Sequence, residues 1–449
     1  MCKIITLHNI NNIHSRSSAE ASDASLQLYS LPTLVASTCI AIWSNTQPAS
    51  RPTTLSRRHR LLRCISAVPS GVEDFIERAA INAANAVEWK SLALSADIAR
   101  GPVEASFIRT HATDAKVPIV LLHSFDSSCL EWRRVLPQLD AAGLEAYALD
   151  SLGWGFGDTR NVVRISVDAK RDHLRAFLQH VLGGRPAMLV GSSLGAATII
   201  DFVAAYPAAV ASVVMIDPQG FIDGAPPVPQ FAARAGIRLL RSWPLRSLGQ
   251  YIAYEDLSTF ATDDAIRVGR LHCARDRWEE DQMGWLASGG YSVSKLVPRL
   301  GDAGRPCLLL WGRQDRVLPP AEYVPRFLRA LPACTFRWVE RCGHVPHLEQ
   351  SAVVGDAIIA FHRGEPVAGD ADTRALLAAP ASSSPLESLN AFLDRPFLDT
   401  NERGGAFEPL KKLIRAEPEL AQVLASMLAL AFFGTVGIVV GRLATGTLL

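Results

Sequence analysis

The sequence predicts an α/β fold with a mostly parallel central sheet flanked by helices. Three observations carry this: short unbroken runs of Val, Ile and Leu, stretches of helical apolar spacing between them, and Gly or Pro stops at the joins. The first run, VPIVLLH at 117–123, is followed by LEWRRVLPQLDAAG at 130–143, which has the spacing of a helix. LEAYALD at 144–150 reads as the next strand and DAKRDHLRAFLQHVLG at 168–183 as the next helix. PAMLVGS at 186–192 leads into AATIIDFVAAYP at 196–207, a strand passing directly into a helix. SVVMID (212–217), RPCLLLWG (305–312) and TFRWVE (335–340) read as further strands, with AEYVPRFLRALP (321–332) as a crossover helix. Strands that are apolar on both faces must be covered on both faces, so the helices lie on each side of the sheet. Between about 220 and 300 the pattern gives way to Pro-rich and then helical sequence, which predicts a helical cap after SVVMID. The domain so defined spans 70–362.

The two ends have a different composition. Residues 1–69 are rich in Ser, Thr, Ala and Arg, with only Glu20 and Asp23 as acids, the bias of an organelle transit peptide; the Ser/Thr content favours a plastid. Residues 363–406 include AAPASSSP and NERGG and read as a flexible linker. Within the C-terminal segment 407–449, residues 420–441 carry no charge and are flanked by Lys411, Lys412, Arg415 and Arg442. At about 1.5 Å per residue that stretch is long enough to cross a bilayer core of about 30 Å, so it is a candidate transmembrane helix for membrane association, while its Ala, Gly and Thr content also suits a helix packed on the domain.

A net charge of +1 gives no field that would draw nucleic acid, and none is expected as a partner. The eight cysteines form no CxxC pair and no Cys/His cluster at zinc spacing. That pattern argues against a disulfide framework or a structural metal and favours free thiols.

In open α/β sheets ligands bind beyond the carboxyl ends of the strands, so the residues after each run bear the chemistry. After PAMLV comes Gly191-Ser192-Ser193-Leu194-Gly195 and then helical sequence. Glycines there permit a tight strand-to-helix turn that lifts Ser193 above the sheet, at a helix N-terminus that favours developing negative charge. A serine hydroxyl is a weak nucleophile near neutral pH; it needs a base to take its proton and a carboxylate to orient that base. His344 after WVERCG and Asp315 after LLLWGRQ offer both. His347 and Asp217 are rivals for the two roles. His344 is preferred because Gly343 frees the backbone before it and it lies nearer its strand, and Asp315 because of strand order. A tetrahedral oxyanion needs backbone donors, expected from the amides of Phe125 and Leu194, with His123 bracing the loop before Phe125. GWGFG at 153–157 has the spacing G-x-G-x-G and not that of a dinucleotide fingerprint, so no cofactor is expected.

Taken together, LLHSFDSSCLEW, ALDSLGWGFGDT, GSSLGA, WGRQDRVLP and GHVPHLE resemble the successive motifs of the α/β-hydrolase superfamily, most closely in plastid hydrolases of plants and algae. The resemblance covers about 121–350 and implies the α/β-hydrolase fold with its cap after the sixth strand, a triad of Ser193, Asp315 and His344, and an oxyanion hole at Phe125 and Leu194. Ser124 departs from the Gly that usually follows the loop histidine, which would strain the loop if positive φ were required there.

The cap sequence supplies Trp243, Tyr251, Tyr254, Phe260, Trp278, Trp285 and Tyr291 as candidate lining for an apolar pocket. The expected activity is that of a serine hydrolase cleaving a small-molecule hydrophobic ester, a lipid or prenyl ester, through an acyl-enzyme. Cofactor-free oxygenase or C–C bond hydrolase chemistry on the same fold is the rival enzyme class, and a non-catalytic scaffold the rival outside enzymes.

Overall fold

The structure is a computed structural model that describes residues 68–224 and 229–367; the transit peptide expected before it, and the linker and transmembrane helix expected after it, lie outside the described residues. Among the described residues no helix is long and apolar enough to cross a membrane.

Eight strands form one sheet in the order β1-β2-β4-β3-β5-β6-β7-β8. They are β1 (Glu88–Leu92), β2 (Val103–Arg109), β3 (Ile119–Leu122), β4 (Ala146–Leu149), β5 (Ala187–Ser192), β6 (Val210–Ile216), β7 (Cys307–Gly312) and β8 (Thr335–Val339). From β4 to β8 all neighbours are parallel, while β1 pairs antiparallel with β2 and β2 antiparallel with β4. The runs read from sequence are the parallel strands. The antiparallel pair was not anticipated, because EWKSL at the sheet edge is largely exposed and VEASFIR carries a glutamate and an arginine.

The apolar runs are buried on both sides, as expected. Ile119 and Leu121 of β3 pack with Met188, Leu308 and Leu310 on one face, and Val120 and Leu122 pack with Leu189 and Leu309 on the other. Alternation along a strand thus divides one continuous apolar run between two cores. The principal helices outside the insertion are α1 (Arg78–Asn85), α2 (Leu136–Ala141), α3 (Val167–His180), α4 (Leu194–Ala205), α10 (Pro320–Ala330) and α11 (Ser351–Arg363). Helix α11 stops at Gly364, whose φ of 72° makes the left-handed cap. The helix expected at 130–143 is instead a 3-10 turn (Cys129–Trp132) followed by the short α2, with Pro137 in the first turn of α2.

Between β6 and β7 the chain makes a helical excursion containing α5 (Gln230–Leu240), α6 (Trp243–Ala253), α7 (Asp263–Arg270), α8 (Trp278–Ala287) and α9 (Val297–Asp302). Local sequence sets its joints. Ser242 accepts from the Leu245 amide and Thr262 from the Ala265 amide, each satisfying a donor that the first helical turn leaves open.

Candidate active site

Strand β5 ends at Ser192 and α4 begins at Leu194, so Ser193 alone makes the turn, with φ 50° and ψ −112°. A positive φ at a residue with a side chain costs about 1–3 kcal/mol and persists only where its surroundings fix it. The Ser193 N–H donates to the Ile216 carbonyl at 2.9 Å, and the Ser193 carbonyl accepts from the Gln219 N–H at 3.1 Å. The flanking glycines provide room and do not themselves take positive φ. A Cβ at residue 195 would lie 2.3 Å from the Leu122 carbonyl oxygen, and one at residue 191 would lie 2.5 Å from the Gly195 carbonyl carbon.

The imidazole of His344 comes from the loop after β8 and lies between the two other groups read from sequence. Its Nε2 is 3.0 Å from Ser193 Oγ and its Nδ1 is 2.8 Å from Asp315 Oδ2. A carboxylate can only accept, so Nδ1–H points to Asp315 and Nε2 is free to accept the serine proton. Asp315 is held in turn by its other oxygen, which accepts from the Val317 and Leu318 amides at 2.7 and 2.9 Å. All three side chains are buried. Gly343 has a reason different from the one read in sequence. Its φ is not positive, but a Cβ there would meet the Ala253 carbonyl oxygen at 2.1 Å, and that same oxygen accepts from the His344 amide at 2.7 Å.

The two rival residues, His347 and Asp217, have other contacts. His347 is fully buried, stacks on Trp132 with ring centroids 4.8 Å apart, and places Nε2 2.9 Å from Glu131 Oε1. Asp217 sits in the same pocket as the triad-like group: its ligand atom, that of Asp315 and that of His344 lie within 4.8 Å of one another. Its Oδ1 accepts from the Gly312 amide at 2.9 Å, and its backbone takes φ 42°. Burial, reinforced by the Asp315 charge, pushes the Asp217 carboxyl well above the usual carboxylate range.

Of the two expected oxyanion donors, Leu194 directly follows Ser193. Leu194 opens α4, and the start of α4 packs on the loop after β3, where the Cβ position of residue 195 also meets the His123 carbonyl oxygen at 2.9 Å. Among the described residues neither the Phe125 nor the Leu194 amide is given to an acceptor. His123 braces the loop as a neutral ring: Nδ1 donates to the Ser124 carbonyl at 2.7 Å and Nε2 accepts from the Ser151 amide at 3.0 Å. Ser124 does not take positive φ; its hydroxyl and amide both donate to Glu131, at 2.6 and 3.1 Å. Burial alone would raise Glu131, but His347, His123 and Ser124 pull it down to about 2.

One buried acid beside Phe125 carries no mark in the sequence. Asp126 is buried, with φ 44°, and its carboxylate accepts from His272 Nε2 at 2.9 Å, Trp278 Nε1 at 2.8 Å, Gln282 Nε2 and Arg246 Nη2. In the sequence it looks like a turn residue in SFDSS, and its partners lie more than a hundred positions further on. Asp126, His272 and Cys273 form a set that would suit zinc by residue type. The set does not fit an ion, because Arg246 Nη2 lies against the Asp126 carboxylate and 3.2 Å from Cys273 Sγ, occupying the place of a cation.

The aromatics expected to line a pocket are largely committed to packing. Trp278 donates to Asp126, Tyr291 donates to Thr198 Oγ1 at 2.9 Å, and Trp285 packs edge-on against Trp154 at 5.4 Å. Phe125 lies half-buried between Trp154 and an apolar cluster of the excursion that includes Ile237, Leu240, Leu245 and Trp278.

Residues 119–357 match the profile of the alpha/beta hydrolase family. An alpha/beta hydrolase domain-containing protein of Arabidopsis thaliana, VTE7, is 36% identical over 270 residues, which are 59% of this chain and 80% of that protein. A 2-hydroxy-6-oxononadienedioate/2-hydroxy-6-oxononatrienedioate hydrolase of Paraburkholderia phymatum is 26% identical over 57% of this chain and 91% of its own length. Among solved structures, an esterase from Thermogutta terrifontis shares the fold with a TM-score of 0.51 at 22% identity, covering 62% of this chain and 98% of that one.

Proposed function

Because the chain belongs to the alpha/beta hydrolase family, and is a hydrolase acting on a small molecule, we propose that it cleaves a hydrophobic ester through an acyl-enzyme formed on Ser193. The observation that carries this reading is the line of contacts from Ser193 Oγ to His344 Nε2 at 3.0 Å and from His344 Nδ1 to Asp315 Oδ2 at 2.8 Å. In the first half-reaction His344 takes the Ser193 proton as Oγ attacks the acyl carbon, and then gives that proton to the departing alcohol. Asp315 keeps the imidazole in the tautomer this requires. The carbonyl oxygen turns into an oxyanion as Oγ bonds, and the Phe125 and Leu194 amides donate to it. Water then repeats the sequence on the acyl-enzyme and releases the acid.

The apolar surroundings of Phe125 support a hydrophobic acyl or alcohol group, a lipid or prenyl ester. The helical excursion after β6 serves as the cap over that group. A second reading, hydrolysis of a dioate of the kind named for the Paraburkholderia relative, draws support from that relative and uses the same three side chains. Steady-state turnover separates the two: a long-chain 4-nitrophenyl ester is expected to be cleaved by the native protein and not by Ser193→Ala. Turnover of the dioate alone would favour the second reading, and equal ester turnover by Ser193→Ala would overturn both. The plant relative and the composition of residues 1–69 support a plastid location, and we propose that residues 420–441 hold the protein at a membrane there. Release by alkaline carbonate would contradict that attachment.

A further inference from the structure

The loop that carries Phe125 is held from two sides, and the two sides belong to different parts of the fold. On the sheet side, Glu131 and His123 fix Ser124. On the other side, each side-chain donor to the Asp126 carboxylate comes from the helical excursion: Arg246 from α6, His272 from the turn after α7, and Trp278 and Gln282 from α8. Arg246 also reaches the main chain, since its Nη1 donates to the Asp126 carbonyl at 3.2 Å. We propose that Asp126 is a positioning residue through which the docked cap sets the Phe125 amide for the oxyanion. This rests on the acyl-enzyme reading above.

Asp126 adopts φ 44°, in the left-handed region that Asp enters more readily than most residues, and its four side-chain donors fix it there. Those contacts are charge-assisted and out of water, where an unpartnered carboxylate or guanidinium is strongly disfavoured, so cap and loop must meet at this point or both be rearranged. Burial works against the Asp126 charge, but Arg246 and His272 overcome it and hold the carboxyl below its ordinary range. Phe125 is covalently next to this fixed point and packs on α5 and α8 side chains, so a shift of the cap is transmitted to its amide. Removal of one preset oxyanion donor lowers kcat by about 10²–10³-fold in enzymes of this chemistry.

The test compares two inhibitors of one shape. Toward an alkyl trifluoromethyl ketone, Ser193 Oγ adds to the carbonyl carbon, the proton moves to His344 Nε2 and the carbonyl electron pair becomes an oxyanion. The matching secondary alcohol binds the same pocket and develops no charge. In Asp126→Asn, kcat for the ester and affinity for the ketone are expected to fall together by about 10–100-fold, while KM and affinity for the alcohol stay within about threefold. Gln282→Leu removes one donor of the set and is expected to show the same pattern at a smaller amplitude, which keeps the test available if Asp126→Asn does not fold. Equal losses for ketone and alcohol, or no loss for either, would overturn the positioning role. Ser193→Ala serves as the separate control: if it still turns over the ester, the acyl-enzyme reading itself fails, whereas an inactive Ser193→Ala beside an unaffected Asp126→Asn removes only this inference.

Discussion

The carboxyl groups of Asp217 and Asp315 follow neighbouring strands and face the same imidazole, with ligand atoms within 4.8 Å of one another and of His344. Burial, with the Asp315 charge beside it, pushes the Asp217 carboxyl well above the usual carboxylate range, whereas Asp315 is the acid in contact with the imidazole, Oδ2 lying 2.8 Å from His344 Nδ1. The consequence is asymmetric. Asp217→Asn keeps an oxygen that can accept from the Gly312 amide and is expected to keep kcat within about tenfold of the native value. Asp315→Asn removes the acceptor that fixes the His344 tautomer and is expected to lower kcat by about 10³–10⁴-fold. Ester turnover by the two variants at neutral pH checks this; the reverse order would make Asp217 the orienting acid.

Gly343 presents a second expectation. A Cβ there would lie 2.1 Å from the Ala253 carbonyl oxygen, a backbone atom at the end of α6 that also accepts from His344 N–H. Gly343→Ala must therefore push α6 and the His344 loop apart. A destabilisation of about 1–3 kcal/mol is expected, with a fall in kcat of more than about tenfold. Calorimetric melting together with kcat measures both, and native kcat in a destabilised variant would uncouple the contact from catalysis.

His272 gives a stability prediction with a definite sign. Burial opposes its charge, but Cys273 and Asp126 push its pKa up to about 9, above the value of about 6.5 for an unfolded histidine. The native state then holds the proton more tightly than the unfolded state does. That stabilisation is complete below about pH 6.5 and is lost as the pH rises through about 9. Asp126 and Cys273 face the ring, with Arg246 lying against both of them, and its contribution is on the order of a few kcal/mol. Thermal melts of the native protein should decline across this window. Those of His272→Gln should start lower and change less with pH; equal slopes would contradict the assignment.

How much of this was legible follows from the range of the interactions. The parallel strands could be read because burial on both faces leaves unbroken apolar runs such as IVLL in β3. Ser193, Asp315 and His344, which lie in hydrogen-bond contact in the fold, each follow such a run within a few residues. The edge strand β1 could not be read, since its exposed face carries Glu88 and Lys90 and resembles a loop. Asp126 was hidden for a different reason: nothing local marks it, and its meaning comes from Arg246, His272, Trp278 and Gln282 converging on it in space. The glycines of the serine turn were correctly singled out, but the reason is the space taken by the Leu122 carbonyl and the turn itself, while the residue with positive φ is Ser193.

The central claim is that Ser193 is the nucleophile and His344 its base, and modification by an alkyl fluorophosphonate followed by peptide mass spectrometry tests it most directly. The account predicts one adduct, on Ser193, formed at least about 100-fold more slowly in His344→Ala and absent from the unfolded protein. Folded, ester-cleaving protein that leaves Ser193 unmodified, or that reacts equally fast without His344, would contradict it.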